Sequence, residues 1–198
     1  AYSVVYISIS LVQEGSLKTI NWMNLKWFGF SSLFIFIIYP LIYIFEKAFG
    51  FVSDLTLIEL ANTNQPLLRK LAEEAPGTFQ HSLQVANMAV AVVQRIGGNP
   101  FLVYAGALYH DIGKTYQSEY FIENQVVGMN PHDHLDYLKS AEIIIDHVTK
   151  GVILARKYQL PEVLISFITT HHGTTQSNYF YKKYMIDNPG VQVDTQRF

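Results

Sequence analysis

Residues 100–114 read PFLVYAGALYHDIGK, and this stretch indicates both the fold class and the chemistry of the chain. Asn99 and Pro100 are typical of a helix N-cap and first turn. The apolar residues that follow predict a helix ending near His110. His110 and Asp111 therefore stand where a helix leaves the core. Burying two adjacent ionisable residues there costs free energy unless they have hydrogen-bond or ionic partners.

Helical patterns continue on both sides of this stretch. Apolar residues recur at helical spacing in 79–96, and again from Leu138 to Ala155. Pro161 is predicted to open a last helix that runs to about His172, and a polar loop is predicted at 113–133. No alternating strand pattern longer than a few residues occurs in this part of the sequence. The predicted fold class is all-α, a helical bundle.

The N-terminal part of the sequence is much more apolar. Residues 27–45 read WFGFSSLFIFIIYPLIYIF, a run of 19 residues without a charge. About 20 such residues cross the hydrocarbon core of a bilayer as a helix, so we predict a transmembrane helix; the alternative is a buried core helix. Position 1 is Ala rather than Met, so we interpret the chain as a fragment. The predicted segments are the end of a transmembrane helix (1–12), a loop (13–26), the transmembrane helix (27–45), a helical stalk (46–75), the helical domain (76–184) and a polar tail (185–198).

The amino-acid composition excludes several kinds of function and site. Lys and Arg total 14 against 16 Asp and Glu, a formal net charge of -2, so no basic face is predicted to bind a polynucleotide. The absence of Cys excludes a disulfide framework and a thiolate zinc site, and it fits a reducing cytosol.

Histidines are placed unusually along this sequence. Seven occur, and five lie at or near the ends of predicted helices. Imidazole and carboxylate are good ligands for divalent transition ions, so helix ends that converge with Asp111 could hold one or two of them. Each His taken alone is more often a surface residue or a hydrogen-bonded core residue. The five are His81, His110, His147, His171 and His172.

Five segments together carry a family resemblance. They are APGTFQHSLQVAN (75–87), ALYHDIGK (107–114), FIENQ (121–125), NPHD (130–133) and HHGTT (171–175). This ordered set resembles the HD phosphohydrolase superfamily. More narrowly, it resembles the cytosolic domain of PgpH-type proteins, which are bacterial seven-transmembrane HD proteins that hydrolyse cyclic di-AMP. The similarity extends to about Tyr184.

The resemblance implies two divalent metal ions, with iron or manganese favoured by ligands that include no thiolate. It assigns His81, His110 and Asp111 to one ion, and Asp111, His147, His171 and His172 to the other, with Asp111 as the bridge. A hydroxide between two such ions can attack phosphorus. The family supplies a further Asp to the first ion from a helix well beyond HHGTT. The sequence reaches Phe198 without a similar segment, so the first site could be incomplete and the fragment inactive, although its parent protein is predicted to be an enzyme.

Other residues are candidates for substrate binding. Lys114 could meet a phosphate oxygen and assist catalysis, or it could be a solvated loop residue. His132 and His134 could form a third metal site, although we favour a role in ordering their loop. An aromatic cluster after His172 could stack a purine or pack against the stalk or the membrane face. Its members are Tyr179, Phe180, Tyr181 and Tyr184.

The resemblance therefore predicts a membrane-anchored phosphodiesterase that opens cyclic di-AMP to pApA, with the HD domain in the cytoplasm of a bacterium. The expected partners are a cyclic dinucleotide and the membrane. No polynucleotide is expected to bind, and the chain could form a homo-oligomer. Cyclic di-GMP is the alternative substrate, ranked after cyclic di-AMP. Enzymes of the HD-GYP type carry Gly-Tyr-Pro soon after the double His, and HHGTTQSNYFY has none. The third interpretation is a nucleotide-sensing module without turnover.

Overall fold

Two apolar helices form the first part of the chain, α1 (Tyr2–Glu14) and α2 (Trp22–Phe49). The structure is a computed structural model that describes residues 2–16, 18 and 20–198, and it divides into two units after Ser53. Helix α2 is longer than the predicted 27–45 at both ends, and the predicted loop at 13–26 is correspondingly shorter. The polar signals at its ends explain the difference. The Asn21 side chain accepts a hydrogen bond from Met23 N–H, and Gly50 ends the helix in the left-handed conformation.

Helix α2 meets the dimensions of a membrane span. Its 28 residues extend roughly 42 Å at 1.5 Å per residue, and none of them is buried. By length and composition it is able to cross a membrane.

The second unit, Asp54–Phe198, consists of helices joined by turns and loops, with no strand among its described residues, which confirms the predicted all-α class. Four 3₁₀ segments lie between or after its helices, at Ile112–Tyr120, Ile122–Asn124, Pro131–His134 and Thr195–Arg197. The helices are α3 (Asp54–Leu60), α4 (Pro66–Glu74), α5 (Pro76–Ile96), α6 (Pro100–Tyr109), α7 (Tyr137–Lys157), α8 (Glu162–Thr170) and α9 (Asn178–Asp187).

In place of the predicted stalk, α3 and α4 pack into this unit. Helix α4 buries Leu67, Leu68 and Leu71, and it contacts α5. The Tyr109 hydroxyl donates to the Leu60 carbonyl at 2.7 Å, which ties the end of α6 to α3. An amphipathic stripe is equally typical of a stalk and of a helix packed on a core, so the sequence pattern alone did not separate the two.

The C-terminal residues also differ from the predicted polar tail. Helix α9 continues to Asp187, and Phe198 is only 1% exposed. Its ring packs against Tyr181 and Tyr184, with ring centroids 5.5 and 5.6 Å away. Phe198 is a single aromatic residue in a polar run, and it contacts two tyrosines of α9. A local sequence pattern does not predict such a contact between separate segments.

Candidate metal centre

Helix α6 delivers His110 and Asp111 to the centre of the domain. Residues 105–109 at its end are buried, and the Asn99 side chain caps its start by accepting from the backbone N–H groups of Phe101 and Leu102 at 2.9 and 3.1 Å. The chain then passes so close to α7 that a Cβ atom on Gly113 would lie 1.8 Å from the His147 carbonyl oxygen. Glycine at this position therefore brings Asp111 next to His147.

All six residues predicted as metal ligands lie together. Each group's candidate ligand atoms are within 4.8 Å of one another. We refer to Asp111, His147, His171 and His172 as the inner group, and to His81, His110 and Asp111 as the outer group.

Asp111 is the residue shared by the two groups. Its Oδ1 lies 3.3 Å from His147 Nε2 and 3.4 Å from His171 Nε2, while Oδ2 lies 3.1 Å from His110 Nε2. The side chain is 4% exposed. Despite the nearby imidazoles, Oδ1 is buried without a hydrogen bond of acceptable geometry. A buried carboxylate oxygen left in this state is well suited to a cation.

The imidazole rings are oriented as ligands. His110 Nδ1 lies 2.6 Å from the Ala107 carbonyl, His171 Nδ1 lies 2.8 Å from the Ile168 carbonyl, and His147 Nδ1 contacts the carbonyl of Ile144. A carbonyl oxygen only accepts, so each ring donates through Nδ1–H. In the neutral ring, Nε2 then carries the free lone pair.

Two of these free nitrogens, those of His147 and His171, face each other in the inner group, and His172 Nε2 lies beside them. His147 Nε2 is 3.3 Å from His171 Nε2 and 3.2 Å from His172 Nε2. Lone pairs at such distances repel each other unless a proton or a metal ion lies between them. The donor set therefore fits a divalent transition ion, and imidazole with carboxylate suits iron, manganese or zinc.

The charges around Asp111 keep it ionised. Burial opposes ionisation, but the neighbouring side chains of His110, His147 and His171, together with the charge of Lys114, hold the pKa of Asp111 well below its ordinary value. Burial also disfavours the charged form of His110, yet its contact with Asp111 raises the pKa of that imidazole.

His172 behaves in the opposite way. Burial, followed by repulsion from His171 and His147, lowers the pKa of His172 to about 4. Its imidazole is therefore neutral at physiological pH, as a metal ligand must be.

Lys114 is not the solvated loop residue of the alternative prediction. Its side chain is 13% exposed, and Nζ lies 2.8 Å from both Asp111 Oδ2 and Glu123 Oε1. Sequence reasoning did not identify Glu123 as a site residue. The available signal was its place in the FIENQ segment, which belongs to the family resemblance.

The other predicted residues lie in different surroundings. His132 Nε2 donates to the Tyr120 carbonyl at 2.9 Å, and its ring contacts those of Tyr120 and Phe180. This contact fits the loop-ordering interpretation. Within the part of the chain that the structure describes, neither His132 nor His134 belongs to a candidate metal group. The rings of Tyr181 and Tyr184 pack against that of Phe198.

Fold and site together define a helical domain whose His/Asp centre combines the C-terminal ends of α6 and α8 with residues inside α5 and α7. The prediction that His147 lies near a helix end is therefore wrong, because α7 continues for ten residues beyond it. The HD domain family matches residues 78–193, and the chain belongs to this family. The match includes every residue of the inner and outer groups.

Two curated relatives extend the similarity to nearly the whole chain. The chain is 42% identical over 189 residues to the cyclic-di-AMP phosphodiesterase PgpH of Listeria monocytogenes, covering 96% of this chain and 26% of the relative. It is 41% identical over 197 residues to PgpH of Bacillus subtilis, covering 98% and 27%. The chain thus spans about a quarter of the length of these relatives.

A solved structure is also similar. The crystal structure of the L. monocytogenes PgpH HD domain in complex with cyclic-di-AMP matches with a TM-score of 0.63 and 46% identity. The similarity covers 66% of this chain and 61% of that chain.

Proposed function

We propose that this chain carries the catalytic centre of a metal-dependent phosphodiesterase that opens cyclic di-AMP to the linear dinucleotide pApA. The observation that carries the proposal is the pair of ligand groups that share Asp111, whose buried Oδ1 lacks a hydrogen bond. A mononuclear site would use the outer group and leave His147, His171 and His172 without a role.

The histidines of both groups and Asp111 would hold the ions. When bound, two divalent ions, iron or manganese on this ligand set, supply Lewis-acid chemistry that polarises phosphate and lowers the pKa of water towards neutral. Asp111 and His147 are buried, so little water competes with a cation for these two ligands. The Lys114 ammonium adjoins Asp111 and could bind a non-bridging phosphate oxygen.

The reaction adds one water molecule across one phosphodiester bond. The water oxygen bonds to phosphorus, the P–O3′ bond breaks, and O3′ takes up a proton. The product carries one terminal 5′-phosphate and one 3′-hydroxyl, which is the composition of pApA.

The choice of substrate is supported by the relatives and not by the geometry alone. Two relatives named for cyclic-di-AMP hydrolysis and a structural neighbour in complex with cyclic-di-AMP support a cyclic dinucleotide of adenine. Helix α2 supports anchoring of the domain to a bacterial membrane. We propose a multi-pass protein whose HD domain faces the cytoplasm, where such nucleotides are made.

The test compares cyclic di-AMP and cyclic di-GMP as substrates of the full-length protein, purified in detergent and loaded with Mn²⁺ or Fe²⁺. Chromatography of the products should show pApA, with cyclic di-AMP preferred. Preference for cyclic di-GMP would reject the substrate. Tight binding of either nucleotide without turnover would reject the enzyme and support the nucleotide-sensing module.

A further inference from the structure

The Lys114 ammonium lies between two carboxylates. Nζ is 2.8 Å from Asp111 Oδ2 and 2.8 Å from Glu123 Oε1. Asp111 carries the single negative charge among the six candidate ligands, since coordinating histidines are neutral. Glu123 brings a second negative charge to the centre and belongs to neither ligand group.

Contact with Lys114 and coordination of a metal ion compete for Asp111. The ammonium covers Oδ2, the same oxygen that lies 3.1 Å from His110 Nε2 in the outer group. A divalent cation repels the ammonium at such short range. An ion held by Oδ2 would therefore displace the Lys114 ammonium from Asp111, and Glu123 is already in contact with that ammonium.

Glu123 is held firmly in this place. Its Oε1 accepts a hydrogen bond from the Thr78 hydroxyl at 2.9 Å. Asn124 accepts from Thr78 N–H at 3.1 Å and donates to the Thr78 hydroxyl at 2.8 Å. Thr78 is fully buried in the first turns of α5, one turn before His81. A Cβ atom on Gly77 would lie 1.8 Å from the Glu123 carbonyl oxygen, so glycine permits this close approach.

We propose that Glu123 is a positioning residue that retains the Lys114 ammonium when Asp111 coordinates metal, and so prevents Lys114 from competing for the bridging carboxylate. The inference rests on the proposed metal centre. It concerns metal binding and does not depend on which nucleotide is hydrolysed.

The test is a Mn²⁺ titration of the metal-depleted full-length protein in detergent. E123Q keeps the size of the side chain and removes its charge. We expect it to weaken Mn²⁺ binding by about tenfold, a typical coupling between neighbouring sites. K114M should bind Mn²⁺ at least as tightly as the unchanged protein. The double variant E123Q/K114M should match K114M, because no ammonium remains to be held.

Asn124→Ala provides the matched control. It breaks the two contacts with Thr78 and leaves the charges of Lys114 and Glu123 in place. If Glu123 acted only by stabilising the fold, N124A would reproduce the loss seen in E123Q, and K114M would not rescue it. E123D, which retains the charge, should recover part of the affinity.

The outcomes separate this inference from the proposed function. Loss of Mn²⁺ affinity in E123Q that persists in the K114M background overturns the inference, even if pApA is formed. Rescue by K114M supports it, even if cyclic di-AMP proves to be a poor substrate. Failure of the unchanged protein to bind Mn²⁺ would reject both.

Discussion

The inner and outer ligand groups share Asp111 but are built differently. The inner group offers four ligands, and both Asp111 and His147 in it are buried. The outer group offers three ligands from this chain, and one of them, His81, is exposed, as His172 is in the inner group. Four ligands that include the deeply buried Asp111 and His147 hold an ion more firmly than three. We therefore expect the inner group to fill first and to retain its ion longer.

The largest expected effect comes from the shared residue. Asp111→Ala removes a ligand from both groups, so bound metal and hydrolysis should be lost together. Metal analysis of the purified full-length protein, with a hydrolysis assay on the same sample, tests this. His132→Ala is the control, because His132 contacts Tyr120 and Phe180 and lies outside both groups. Equal metal loss in the two variants would show that the segment around His132 belongs to the centre.

A comparison of one ligand from each group tests the difference between them. His147→Ala should weaken binding of the first Mn²⁺ equivalent by at least about 100-fold, and His81→Ala should weaken the second by about tenfold. Calorimetric titration of the metal-depleted protein resolves the two steps. Equal losses of affinity in the same binding step would contradict the prediction that the two groups bind Mn²⁺ with unequal affinity.

Gly113 tests the backbone contact that builds the inner group. Gly113→Ala places a Cβ atom against the His147 carbonyl oxygen. We therefore expect the free energy of unfolding to fall by about 3 kcal/mol, or the variant not to fold. Gly29→Ala is the control, because a Cβ atom there meets nothing within 4 Å. Thermal unfolding of both variants measures the difference. A G113A protein as stable as G29A would mean that α7 and Gly113 are farther apart than described.

The smallest expected effect concerns pH. The pKa of His172 is lowered to about 4 in the folded chain, so the unfolded chain binds a proton more readily as pH falls from 7 to 5. Acidification over this range therefore destabilises the metal-free protein. His172→Gln cannot take up that proton and should lose less stability. The difference is modest because His172 is only partly covered by its neighbours, and solvent screens its exposed part. Identical pH dependence in both proteins would remove His172 as its cause.

The sequence predicted the ligands better than their surroundings. His110 and Asp111 could be placed because an apolar helix with clear start signals ends at them. The position of Glu123 beside Lys114 depends on contacts between segments 45 residues apart, including the one with Thr78. Local sequence patterns do not predict contacts between segments so far apart in the chain. For the same reason the predicted polar tail includes Phe198, although its ring packs on Tyr181 and Tyr184.

The central claim is a two-ion centre bridged by Asp111, and stepwise reconstitution tests it most directly. Mn²⁺ is added to the metal-depleted full-length protein while bound metal and pApA formation are measured together. We expect little hydrolysis at one ion per chain and full activity at two. Full activity at one ion per chain, or no hydrolysis of cyclic di-AMP at two, would contradict the account.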